Sequence, residues 1–183
     1  MVSTCRMLIL EEPSKSTHHV DLGNVLSGES PQGHYRGCRA TRDGGYWELY
    51  RNQDGSAVCA LEVFELTTPE STVENAMLKE ELRLSLQKAA AGTLRFGAKA
   101  DVREIHREPD MLELRLGFKP FGPDDGIRYK FRLYFAEPAM ATRLLLGLKF
   151  AKAPASKAGL EVQDTHIDEA GIRYITWTQA RIK

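Results

Sequence analysis

From Ile127 to Ala136 the chain alternates with a period of two. Ile127, Tyr129, Phe131, Leu133 and Phe135 fall on one side, and Arg128, Lys130, Arg132 and Tyr134 on the other. A helix would scatter this set around its circumference, whereas a strand sorts it into two faces. The segment therefore demands a sheet with one apolar face to bury and one face carrying cations and a phenol. Two further apolar runs flank it, Met111 to Phe118 and Ala141 to Phe150. Pro120-Phe121-Gly122-Pro123-Asp124-Asp125-Gly126 makes a turn-rich first join, and Glu137-Pro138-Ala139 a tight second one. The three runs predict an antiparallel meander.

Upstream, Val73 to Ala91 is built almost wholly of strong helix formers. Leu78, Leu82, Leu86 and Ala89 share one face, Thr68 and Pro69 supply a start, and Gly92 a stop. Tyr46 to Arg51 and Ala57 to Leu66 are rich in aromatic and β-branched residues and are separated by Asn52-Gln53-Asp54-Gly55, which predicts a hairpin. The stretch carrying Arg95, Lys99, Arg103 and Arg107 reads as a basic connector. Val162 to Gln179 has helical spacing, with Ile167, Ala170, Tyr174 and Trp177 three or four apart. Residues 1–45, as in Ser27-Gly28-Glu29-Ser30-Pro31, show no lasting period and read as an irregular extension. The expectation is one α+β domain over 46–183, an antiparallel sheet with helices packed on one face.

The chain of 183 residues has no net charge, yet residues 1–94 carry a net of −4 and residues 95–183 a net of +4. Between Leu112 and Lys157 nine basic residues face four acidic ones. Polyanion binding depends on such a local excess rather than on the total. Cys5, Cys38 and Cys59 are scattered without metal-ligand spacing, and His18 and His19 have no third ligand nearby. That predicts neither a zinc site nor a disulfide framework and suits a reducing compartment. Met7 to Leu10 is too short for a secretory apolar core, and no run approaches a membrane span, so the expectation is a cytoplasmic protein without membrane contact.

Arg115 on the first run, Arg132 on the second, and Lys149 with Lys152 at the end of the third are the candidate catalytic set, expected to converge on one phosphate. Arg128, Lys130 and Tyr134 are candidate RNA contacts. Arginine binds two phosphate oxygens at once and keeps its proton, so it can neutralise charge growing on a pentavalent phosphorus. The competing expectation pairs Arg115 with Glu113, Asp124 or Asp125, and gives Arg132 a cross-strand partner. His106, before the first run, reads as a surface loop histidine, and Trp47 and Trp177 as packing anchors. No GxGxxG, P-loop, HExxH or GxSxG is present, and the basic strip lacks the carboxylate cluster of two-metal nucleases.

Met111-Leu112-Glu113-Leu114-Arg115, Tyr129-Lys130-Phe131-Arg132-Leu133-Tyr134-Phe135-Ala136, Leu144-Leu145-Leu146-Gly147-Leu148-Lys149-Phe150-Ala151-Lys152-Ala153-Pro154 and the run around Ile167 to Arg173 follow one another in a particular order. Over residues 57–178 this order resembles that of RelE/HigB-type (phage-derived Gp49-like) toxins of type II toxin–antitoxin systems. The resemblance implies a RelE-like fold and a ribosome-dependent endoribonuclease acting on mRNA. Cleavage would proceed by attack of the 2′-hydroxyl on the adjacent phosphate, without metal or other cofactor. It implies Arg115 and Arg132 as phosphate clamps, Lys149 or Lys152 as further cations, and a cognate antitoxin over the basic face. The lysines are split rather than adjacent, and Tyr174 is the candidate for a C-terminal tyrosine. The rival expectations are a non-catalytic nucleic-acid-binding protein, or a phage or structural assembly protein on the same scaffold.

Overall fold

A computed structural model describes residues 38–67, 73–117 and 128–182. Among them, eight strands and α-helices follow in order: β1 (Tyr46–Leu49), α1 (Val58–Thr67), α2 (Val73–Ala90), β2 (Val102–Glu104), β3 (Met111–Arg115), β4 (Tyr129–Ala136), β5 (Leu144–Pro154) and α3 (Ala158–Arg181). The α+β class and the β3–β4–β5 meander match the expectation. The cap at Thr68 and Pro69, the join Pro120 to Gly126, the strand ends at Phe118 and Ile127, and the first 37 residues lie outside the described residues.

The described strands form one five-stranded sheet in the order β1-β5-β4-β3-β2. It is mixed rather than antiparallel, because β1 runs parallel to β5 while the other pairs are antiparallel. The predicted hairpin over 46–66 is therefore not formed. Its second half is α1, with Cys59 and Val63 buried one turn apart. A short apolar run fits a strand or a helix equally by periodicity, and here the helix packs against β5, with Glu62 at the edge beyond the end of β1. The basic connector likewise holds a strand, β2, which extends the sheet beyond β3.

Residues directly opposite across the ladders share a face. Val102, Leu112, Leu114, Leu133, Phe135 and Phe150 make the first face. Against it lies α2, through the buried Leu78, Leu82 and Leu86. Trp47 meets Phe135 edge-on at 5.4 Å and donates its Nε1 hydrogen to Leu86 O at 3.0 Å. Gly92 ends α2 as expected, at φ 69°, where a Cβ would stand 2.6 Å from Arg42 O. The second face carries Arg103, Glu113, Arg115, Arg132, Tyr134 and Lys149, and it is not open. Met111, Ala136, Ala151 and Ala153 are also on this face and buried, giving α3 an apolar bed. The helix answers with Ile167, Ala170 and Trp177, each buried. Helices thus cover both faces, because neighbouring strands supply apolar residues that the alternation of β4 alone does not reveal.

Arg39 ties the described start of the chain to the β4–β5 turn. Its guanidinium donates to Glu137 O, Pro138 O and Ala141 O, while the Glu137 carboxylate accepts from Arg39 N and Ala40 N. Residues 38–45, expected within the irregular extension, are packed into the domain, with Cys38 and Ala40 buried. Burial, reinforced by the charge of Glu137, pushes the Cys38 thiol up to about 12. Cys38 and Cys59 are both free and buried.

Candidate anion-binding site on the second sheet face

Glu113 is the centre of this face. It sits mid-strand on β3 and is fully buried, an expensive position for a carboxylate without counter-charge. Three arginines provide that charge. Arg103 lies opposite it on β2 and donates from Nη2 at 3.3 Å. Arg132 on β4 brings Nε to 3.2 Å, and Arg115, two residues along β3, to 3.8 Å. Only Arg103 is placed for a hydrogen bond; the Nε contact of Arg115 is too long to be one and that of Arg132 is misaligned, so both are ion pairs. From α3, Gln163 Nε2 donates to Glu113 Oε2 at 3.0 Å. Among the described residues the cluster thus holds three guanidinium groups against one carboxylate, an excess of two positive charges.

The arginines differ in freedom. The Arg132 side chain is 9% exposed, that of Arg115 26% and that of Arg103 40%. Arg115 Nη2 is anchored on Gly97 O and Ala100 O. Burial lowers the Arg115 pKa, and Arg103 and Arg132 lower it further against the pull of Glu113. The neighbouring Asp101 is engaged by Arg95.

Tyr134 stands opposite Glu113 on one side and Lys149 on the other, in a row running from β3 to β5. Its hydroxyl is buried and finds no hydrogen-bond partner among the described residues. Burial pushes the phenol well above its ordinary range, so it can donate a hydrogen bond but cannot serve as a base near neutrality. The His166 ring of α3 lies 6.5 Å from the Tyr134 ring. Burial, then the charge of Lys149, holds that imidazole below its ordinary value.

At the far end of the row a second cluster forms. Lys149 Nζ binds Glu62 and Glu169, and Arg173 grips Glu62 with both terminal nitrogens, at 3.0 and 2.6 Å. Glu62 Oε2 also accepts from Phe150 N at 3.0 Å, and Arg173 donates to Leu148 O at 2.7 Å. Beyond Leu49 the edge of β5 has no strand beside it among the described residues, and these side chains satisfy its backbone instead.

Of the candidate catalytic set, Arg115 and Arg132 are brought together as directly opposed residues on β3 and β4. Both adopt the competing expectation, an ion pair with Glu113; Asp124 and Asp125 lie outside the described residues. Lys149 shares their face but is held by its two glutamates. Lys152 pairs with Phe131 on the opposite face, and its ammonium lies 5.0 Å over the Tyr129 ring. The expected convergence of all four is therefore not formed. Among the candidate RNA contacts, Lys130 is exposed beyond Arg132, Arg128 is exposed before β4, and Tyr134 is buried. His106 is exposed, and Trp47 and Trp177 are buried. Arg103, Gln163 and His166 also belong to this face, unexpected from the sequence. The alternation of Arg103 with Val102 and Glu104 was the available signal for Arg103, whereas nothing local marks Gln163 or His166.

Among the described residues, no group of three or more His, Cys, Asp or Glu side chains could hold a metal ion, and no helix is long and apolar enough to cross a membrane. Comparison with protein families, curated proteins and solved structures finds no match for this chain.

Proposed function

We propose that this chain is a RelE/HigB-like endoribonuclease of the toxin–antitoxin kind, acting on mRNA at the ribosome without a metal. One observation carries the reading: Arg103, Arg115 and Arg132 converge on a single carboxylate and keep two positive charges unneutralised. A phosphodiester brings one negative charge, and its pentavalent transition state two, which is the excess this cluster holds. Glu113 holds the guanidinium groups in place before the phosphate arrives, so little ordering remains to be done on binding. The strand order β1-β5-β4-β3-β2 and the location of the four resembling segments on β3, β4, β5 and α3 are consistent with a RelE-like scaffold. A protein partner of acidic character would suit the same face as antitoxin, through the exposed Arg128 and Lys130 and the partly exposed Arg103.

Induced expression of the wild-type chain and of Arg115→Gln, with growth and mRNA 5′ ends followed together, tests this. Arrest with new cleavage sites, both lost in Arg115→Gln at equal protein level, is the expected result. Normal growth and unchanged mRNA from soluble, folded wild type would overturn it. A second reading, RNA binding without cleavage, is favoured by one feature: Arg132 is almost wholly buried beneath α3 and already paired. Salt-dependent RNA binding with intact RNA would decide for it.

A further inference from the structure

We propose that His166 is the proton-transfer residue of this site, taking the proton from the attacking 2′-hydroxyl; this rests on the ribonuclease reading. The geometry begins with α3, whose Gln163 amide is fixed on Glu113 and whose Glu169 is fixed on Lys149. His166 is midway between these two anchors, one helical turn from each, so its place over the sheet is set from both sides. Beneath it is Tyr134, which the ladder register puts between Glu113 and Lys149. The register puts Tyr134, over which the imidazole lies, one strand spacing, roughly 5 Å, from Glu113, and Arg132 is near enough to act on the imidazole electrostatically. The ring is partly exposed, so a ligand can reach it, whereas the Tyr134 hydroxyl beneath is buried.

The surroundings favour a neutral ring. Arg132 and Tyr134 face it from β4, Lys149 from β5, Glu62 from α1 and Glu169 from its own helix. Burial and the two cations outweigh the two carboxylates, and a neutral imidazole near pH 7 is what a general base requires. In the step, the 2′-oxygen bonds to phosphorus as its proton passes to His166, and the bond from phosphorus to the 5′-oxygen breaks. Water protonates the departing oxygen, and the imidazolium returns its proton to the hydroxide so formed. The products are a 2′,3′-cyclic phosphate and a 5′-hydroxyl. The arginines bear the phosphate charge throughout and exchange no proton.

Two measurements on the full chain test this. In the first, the imidazole resonances of the wild type are titrated by NMR with and without a 2′-O-methyl RNA oligonucleotide, and His166→Gln assigns the relevant signal among five histidines. Bound phosphate should lower the His166 acid dissociation constant about threefold or more. Oligonucleotide binding that leaves His166 unmoved overturns the inference and spares the anion site; absence of binding overturns both. In the second, His166→Ala should cut kcat by about 10²–10⁴ with little change in KM, lose the acidic limb of the pH profile, and be partly rescued by free imidazole. Cleavage by His166→Ala at the wild-type rate overturns the assignment while leaving the ribonuclease reading intact. RNA that binds and moves His166 but is never cut overturns both the cleavage reading and the proton-transfer role of His166.

Discussion

Two ionic clusters share one face of the sheet under the same helix, and they are built for different ends. Around Glu62 and Glu169, Lys149 and Arg173 supply equal and opposite charge, and the contacts also close the free edge of β5. Around Glu113, three arginines share one carboxylate, and none of their three Nε groups makes a hydrogen bond. A balanced, geometrically saturated cluster is what stability alone would produce. An unbalanced one costs stability unless something anionic completes it, so the excess is the informative quantity.

The two clusters should differ most on substitution of Glu113. Glu113→Ala should leave three partly buried guanidinium groups facing one another and cost about 3–5 kcal/mol of unfolding free energy, read from urea denaturation. Glu113→Gln should cost less and bind a short RNA more tightly than wild type at low salt, since the internal competitor loses its charge. Glu62→Ala should cost about 2–3 kcal/mol, because it strands Lys149 and Arg173 and uncovers Phe150 N. RNA affinity should not rise in that variant, and a rise would erase the distinction between the two clusters.

A smaller effect should appear with acid. The His166 pKa is lowered in the folded chain, so below its ordinary value of 6.5 the unfolded state takes up the proton first. Stability should fall as pH drops from about 6.5 toward the folded-state pKa, and His166→Gln should flatten that part of the curve. Smallest in stability is Arg103→Ala. Its side chain is 40% exposed, so the loss should stay under about 1 kcal/mol, yet RNA binding should weaken and its salt dependence become shallower.

The strands β3, β4 and β5 and the helix α2 were legible because their patterns are long enough to have only one period. The split of Lys149 from Lys152 was visible in the sequence, yet both were expected at one phosphate; three residues apart on a strand they face opposite ways, which rules that convergence out. Arg115 and Arg132 could be placed on one face, and Glu113 was among the partners expected for Arg115, but that Arg132 and Arg103 share this carboxylate follows only from the ladder registers. Lys149 occupies its place in the row because of a bulge between Tyr134 and Phe135, which adds Leu148 to β5.

By itself, the sequence determined β3, β4, β5, α2 and α3, the two-faced character of β4 and the excess of cations between Leu112 and Lys157, all of which are properties of spacing along the chain. The tertiary structure alone decided that Val58–Thr67 is a helix, that β1 runs parallel to β5, and that α3 lies over the basic face. Each of these depends on which apolar surfaces meet across distant segments, and burial is settled by the whole packed set rather than by any window of residues.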